Sequence, residues 1–473
     1  MKAIHLFGTS ISAHQILAGG YDVVVCSYEY AEANIRARQK YQDRIESWRL
    51  ARDPSVMRPK RPTTALASGL YDLAKIPFKC GYQDEAHLIK NRDGVRHQAV
   101  MKLPVKSWVM ISGTLPHNRW HDVSGYLDFI KGHPFTTESA FKRQFSTMDY
   151  DSYAKPTGAQ IALLQRFMQA FTIMRPGDIL KLPDCIRVAF PVRLSSAHSS
   201  VVLSMTELYR KIAGMNDDTG EFEDASALGM AIRAQVYTLH PLLASANLKA
   251  RGDEAYTPDD EDLRNTTAAC ANALRKKEDP KAHEKRQLWL KELATWGDKK
   301  IFDSPHVCKL SSLLTHLIDE QPQDKIVIFS QFLQYLDIID KAMQSRGIKC
   351  LRFDGTVSRT SRDKIQREFE TNPKTHILLI TAGPGGVGLN LTSANIVVQA
   401  EEWWSSSAEH QAISRVQRQG QKKTVMVIKL HVENSAIDAV ISRVRRTKVN
   451  INGKLLAKLL HTHEEGPPVV ELI

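Results

Sequence analysis

The final third of the chain alternates short apolar runs with longer amphipathic stretches. Lys325–Ser330, Cys350–Phe353, His376–Thr381, Asn395–Gln399 and Thr424–Lys429 are strand-length runs, and helical patterns separate most of them. Runs that are apolar on both faces, with helices between, predict a parallel sheet covered by helices on either side. Upstream, Asp22–Cys26 and Trp108–Ile111 are further strand candidates. Residues 31–62 form an Arg-rich helical pattern that ends in Pro54 and Arg58-Pro59-Lys60-Arg61-Pro62. Consecutive prolines fix φ and remove donors, so that end is a loop. Within 134–180, Leu163, Leu164, Phe167, Met168, Phe171 and Met174 recur at helical spacing and read as a core stripe. Residues 181–303 are helix-rich and charged, with few long apolar side chains over 250–300. The expected organisation is therefore an α/β region over 1–180, a helical accessory region and linker over 181–303, an α/β lobe over 304–448, and a tail over 449–473.

At 473 residues there is room for about two to four domains. The formal net charge of +12 suits a polyanionic partner, or reflects basicity spread over the surface. Six cysteines are scattered without a C-x-x-C pair, the pattern of buried thiols in a reducing compartment, not of zinc ligands or a disulfide framework. There is no run of eighteen apolar residues, and the first twenty residues lack the features of a secretory signal, so no membrane partner is expected.

Three segments carry candidate chemistry. Arg415 and Arg418 are three residues apart, a spacing that on a helix sends both guanidinium groups from one face. Two planar, permanently charged forks suit a nucleotide's terminal phosphate. Gln411 precedes them by one turn, and Gly420-Gln421 follows. Asp84-Glu85, if they end a buried strand, offer a carboxylate for a metal and a second to orient water. Gly383–Gly388 satisfies G-x-G-x-x-G after the run ending at Thr381, the pattern of a dinucleotide-binding turn. Only Leu389–Ala394 then precede the next strand, too few for a crossover helix, which argues against that reading.

Taken together, the segments resemble the Snf/Swi family of DNA-dependent ATPases. Gln411 to Gln421 is similar to the family's Q-A-x-x-R-x-x-R-x-G-Q, and Asp84 to Asn91 to its D-E-A-H-x-I-K-N. Gly386 to Thr392 resembles G-G-x-G-L-N-L-T, and Asp354-Gly355-Thr356 resembles D-G-(S/T). Ser112 to Asn118 resembles S/T-G-T-P-x-x-N with Leu115 and Pro116 exchanged, and Trp403-Trp404 resembles the family's tryptophan pair with Ser405-Ser406 in place of Asn-Pro. The resemblance spans about Tyr21 to Lys448. It implies two RecA-like lobes, the first truncated, that hydrolyse ATP with Mg²⁺ in the cleft between them and move along double-stranded or nucleosomal DNA in the nucleus, in remodelling or repair complexes. Asp84 then holds Mg²⁺, Glu85 acts on the attacking water, and Arg415 and Arg418 stabilise the transition state. His87, Gln411 and Gly388 contact or sense the nucleotide. Ser112, Thr114, Asp354, Gly355, Gly386, Asn390, Thr392 and Trp404 face DNA or couple to it; for Trp404, bracing the lobe is the favoured role and stacking on a base the other. One element of the pattern is missing, since no G-x-x-x-x-G-K-[ST] phosphate loop occurs in the sequence. The second expectation is accordingly a DNA-binding or scaffold protein without ATPase activity.

Overall fold

The computed structural model describes residues 1–7, 11–51, 55–66, 78–113, 120–149, 152–153, 156–175, 180–213, 228–243, 280–355, 357–381 and 389–446. They belong to two compact units, 1–174 and 175–450. In the first unit, β1 (Ala3–Leu6) pairs in parallel with β2 (Val23–Cys26). The Ala13–Ala18 helix lies between them, opened by a capping box in which Ser12 and Gln15 satisfy each other's backbone donors. The predicted Arg-rich helix is Tyr28–Ala51, a run of good helix formers carrying the i,i+4 pair Glu32–Arg36. β3 (Phe78–Gln83) and β4 (Val105–Met110) form a second parallel pair, with Tyr82 opposite Val109. β5 (Met148–Asp149) and β6 (Ser152–Tyr153) make a short antiparallel ladder. Most of the helical stripe read from sequence is core: Leu164 and Met168 of the Gly158–Gln169 helix bury against Trp120, Phe141 and Phe145, with Phe167, Phe171 and Met174 packed around them, whereas Leu163, one residue round the helix, faces outward and is exposed.

The second unit is built on a six-stranded, all-parallel sheet in the order β7-β12-β11-β8-β10-β9. The strands are β7 (Cys185–Val192), β8 (Ile326–Ser330), β9 (Cys350–Phe353), β10 (Ile377–Thr381), β11 (Ile396–Gln399) and β12 (Val425–Val432). All five predicted strands are present. Every residue of β8, β10 and β11 is buried, as a sheet covered on both faces requires. Side chains alternate between two cores. Ile326, Ile328, Leu379 and Val398 meet Leu314 of the Pro305–Glu320 helix and Leu336 of Leu333–Gln344. Val327, Phe329, Ile380 and Val397 meet Phe369, Trp403 and Ile413. This is the parallel α/β, RecA-like lobe expected from the sequence. Lys325 ties it together by donating from Nζ to the carbonyls of Phe369, Asn372 (2.9 Å) and Thr375 (3.2 Å), which closes the end of the Arg359–Thr371 helix.

The sixth strand, β7, comes from the region read as helical. It runs beside β12 from Cys185 opposite Val425 to Val192 opposite Val432. It is an edge strand with mostly exposed side chains, and Pro191 interrupts its donors, so it lacks the pattern of a buried strand. The helices Ser196–Ala213, Leu228–Leu239 and Pro280–Ala294 also contribute Val202, Tyr209, Ala234 and Trp289 to the sheet's larger core.

Candidate active site

β3 ends at the buried Gln83 and hands the chain to Asp84-Glu85. Two backbone bonds tie this turn to the residue after β4: Ile111 N–H donates to Gln83 O (2.8 Å), and Ala86 N–H donates to Ile111 O (2.9 Å). A third tie comes from Tyr28, whose hydroxyl donates to the Asp84 carbonyl (2.8 Å). Burial first, then the Asp84 charge, pushes the Tyr28 hydroxyl well above the ordinary phenol range, so it remains a donor. Glu85 has φ 50 and ψ 49, a left-handed conformation costing a non-glycine residue about 1–3 kcal/mol. That twist opens a 3-10 turn, Ala86–Ile89, and leaves the half-buried Glu85 Oε2 3.3 Å from His87 Nδ1. Asp84 stays exposed, its Oδ1 accepting from the Glu85 N–H (3.0 Å).

Asp84 offers one exposed carboxylate at a strand end, and no group of three His, Cys, Asp or Glu side chains that could hold a metal ion gathers among the described residues. A hydrated Mg²⁺ that takes its other ligands from water and substrate phosphates would need only that carboxylate from the protein. Behind the turn, Lys90 pairs with Asp122 (3.2 Å), both nearly buried. Gly125 lies against Lys90 so closely that a Cβ there would fall 1.9 Å from the Lys90 carbonyl oxygen. His97 braces the same segment, with Nδ1 2.6 Å from Ile89 O and Nε2 3.0 Å from Asp128.

In the second unit, the arginine pair is not helical. The Ser406–Ile413 helix ends before it, and Arg415 to Gly420 lie in tight turns. The cause is tertiary. Leu391 N–H donates to Arg415 O (2.9 Å), and the buried Gln421 donates from Nε2 to Ala394 O (2.7 Å) and Val416 O (3.3 Å). A continued helix would keep Arg415 O for its own ladder and could not deliver Gln421 to Ala394. Gly420 takes φ 104, open only to glycine at low cost, within 3.9 Å of Thr392 Oγ1 from its Cβ position. The exposed Arg418 donates from Nη1 to Leu389 O (3.4 Å), and Arg415 is half-buried. Gln366 donates to Asn390 O (3.3 Å) from the Arg359–Thr371 helix. The Leu389–Ala394 segment and the Arg415–Gln421 turn are thus one joined surface, with Asn390 exposed and Thr392 half-buried on it. Gln411 sits half-buried on the last turn of the preceding helix.

Asp354 and Gly355 follow β9, with Asp354 buried. Ser112 is half-buried directly after Ile111, and therefore beside the Asp84-Glu85 turn. The half-buried Trp404 donates from its indole N–H to Gln235 Oε1 (2.9 Å), while Gln235 donates to Glu402 O (2.5 Å), so it braces the Leu228–Leu239 helix. Thr114, Gly386 and Gly388 lie outside the described residues, as does all of Gly383–Gly388. Sequence reasoning did not single out Tyr28, although the Ser27-Tyr28-Glu29 triplet after β2 was its only local signal.

Two family models match the chain. The SNF2-related domain covers residues 3–242, which is 240 of the 473, and the helicase conserved C-terminal domain covers residues 308–420. The chain belongs to the SNF2-related family. It is a Snf2-type member of helicase superfamily two, and ATP hydrolysis is the activity of that family. Among curated relatives it is 28% identical over 412 residues to "ATP-dependent helicase fft1" of Schizosaccharomyces pombe, covering 83% of this chain and 42% of the relative. It is also 28% identical over 397 residues to the "SWI/SNF-related matrix-associated actin-dependent regulator of chromatin subfamily A containing DEAD/H box 1" of Xenopus tropicalis, covering 81% and 38%. A shorter match, 40% over 157 residues, covers 33% of this chain and 15% of "DNA repair protein RAD5" from Yarrowia lipolytica. The chain spans less than half the length of these relatives. Among the described residues of this SNF2-related chain, no helix is long and apolar enough to cross a membrane.

Proposed function

We propose that this chain is the motor part of an ATP-dependent double-stranded-DNA translocase that serves chromatin remodelling or DNA repair in the nucleus. The observation that carries the reading is the joined surface of Leu389–Ala394 and Arg415–Gln421, where an exposed arginine and exposed polar residues share one set of backbone bonds. Mg²⁺-ATP, when bound, supplies the phosphoryl group that water attacks. Asp84 would hold the hydrated ion, and Glu85, with its carboxylate beside His87, would orient the attacking water and take its proton. Arg415 and Arg418 take up the charge that develops on the transferred group. Gln411 and Gly388 contact the nucleotide. Ser112, Thr114, Gly355, Gly386, Asn390 and Thr392 meet the DNA backbone, whose recognition needs no base reading, while Asp354, buried and paired with Arg352, acts within its segment and not on the phosphate. Remodelling or repair subunits are the protein partners the relatives suggest.

Binding to duplex DNA tests the reading. Affinity should fall steeply with salt, by about 10³–10⁵ between 50 and 200 mM if 6–10 phosphates are engaged, with little preference for sequence. Affinity that is flat across that range would favour the scaffold alternative.

A further inference from the structure

Buried charge links the Asp354-Gly355 segment to the Pro280–Ala294 helix. Arg352, on β9 and two residues before Asp354, donates to Asp354 Oδ2 (3.2 Å) through Nη2 and to Asp337 Oδ1 (2.5 Å) through Nη1. Asp337, on the Leu333–Gln344 helix, is 3% exposed. It also accepts from both terminal nitrogens of Arg286 and from Trp289 Nε1 (2.7 Å). Arg286 and Trp289 are three apart on the Pro280–Ala294 helix, so one helical face holds the carboxylate. Asp340 flanks the group 4.0 Å from Arg352, its carboxyl raised by burial with Arg352 opposing. On the far side, the Asp354 carbonyl accepts from Arg362 (3.4 Å).

Replacing a whole buried ion network with apolar groups is often neutral or stabilising, whereas removing Asp337 alone would leave Arg286 and Arg352 without their shared carboxylate. The charges therefore call for an explanation other than stability. Two guanidinium groups share one carboxylate, and a guanidinium is a rigid planar fork. If Arg286 leaves, Asp337 is left to Arg352, and the rotation of that fork is passed to Asp354 at its other end. We infer that Arg286, Trp289 and Asp337 are positioning residues for the Asp354-Gly355 segment, so that seating the Pro280–Ala294 helix sets the segment's grip on a nucleic-acid phosphate. The inference rests on the proposed DNA reading of that segment.

The test measures binding of the full chain to a short duplex of mixed sequence, as a function of salt, for the parent, Gly355→Asp, Arg286→Gln and the double variant. A Cβ at Gly355 meets no atom within 4 Å, so the aspartate is accommodated and adds a charge that repels a phosphate. Arg286→Gln should weaken binding about fivefold, a modest coupling, and reduce the salt slope by about 0.9, one phosphate contact. The double variant should bind no more weakly than Gly355→Asp. If Gly355→Asp binds like the parent, the phosphate contact at this segment falls, and the inference with it. If Gly355→Asp weakens binding while Arg286→Gln keeps the parent's affinity and slope, or if the two losses multiply, the coupling is overturned and the DNA reading stands. Should Arg286→Gln fail to fold, Arg286→Lys keeps the charge and loses the fork; part of the same loss in affinity and slope supports the coupling, and parent-like binding overturns it.

Discussion

The two units hold their strands in opposite ways. In the second, β8, β10 and β11 are buried along their whole length between two helix-covered cores. In the first, the described strands come in pairs, and Tyr82, Val109 and Val25 expose their side chains. The candidate residues follow the same division. The Arg415–Gln421 turn is fixed by several bonds to a segment some twenty-five residues away in the chain, whereas the Asp84-Glu85 turn hangs from the ends of two strands and one tyrosine hydroxyl. Rigid positioning in one unit and a lightly tethered, twisted turn in the other imply that substitutions will act differently on each.

The largest expected effect is catalytic. With the chain joined behind a G-x-x-x-x-G-K-[ST] phosphate-loop segment, Arg418→Ala should slow single-turnover hydrolysis by roughly 10³–10⁵, as loss of other transition-state arginines does. A loss below tenfold would remove Arg418 from that role. Next comes Gly125→Val. With the Lys90 carbonyl 1.9 Å from the new Cβ, overpacking should cost the first unit at least about 1–3 kcal/mol. Hydrogen exchange should then quicken in 78–113 while β8 and β10 keep their protection; equal loss in both units would show that they unfold together.

A smaller effect probes the second unit through pH. Burial pushes the Glu401 carboxyl up to about 8, against the Gln331 N–H bond (2.6 Å) that favours its charge. Asp438, also fully buried, is pushed up to about 7. The unfolded carboxyl titrates near 4.3, roughly. Between that value and about 8 the folded chain holds a proton that the unfolded chain does not. Stability is therefore full below the window and declines as pH rises through it. Glu401→Gln should raise the melting temperature at pH 9 by roughly 2–4 °C or more and leave it nearly unchanged at about pH 4. An equal shift at both ends would mean that the carboxyl does not titrate in this window. The smallest effect is Tyr28→Phe, which removes one hydrogen bond to Asp84, about 1 kcal/mol. The Glu85 region should exchange faster in that variant, and unchanged exchange would show that the two strand ends hold the turn alone.

How far each feature could be read from sequence depended on where its cause lies. β8 and β10 were legible because burial on both faces writes a continuous apolar run. β7 was not, since an edge strand carrying Pro191 and mostly exposed side chains has no such pattern. The identity of Arg415 and Arg418 could be read from their spacing. Their departure from helix could not, because it is set by Leu391 and Ala394, far away in sequence. The left-handed Glu85 was equally hidden, since no glycine or asparagine marks the position. Asp337 left only a faint trace, a charge inside an otherwise apolar helical stripe.

The pairing of β7 with β12 also has a consequence for how the protein is made. Asn434 clamps the end of this ladder, its side chain bonded to the N–H and carbonyl of Leu194 (3.0 and 3.1 Å) across 240 residues of chain. During synthesis β7 emerges long before its partner, and ribosomes adding about 5–20 residues per second leave that edge, with Ile186 and Val188 exposed, waiting for tens of seconds. A chain cut short before Val425 would keep an apolar strand with nothing to pair against, an open template for association with other nascent chains.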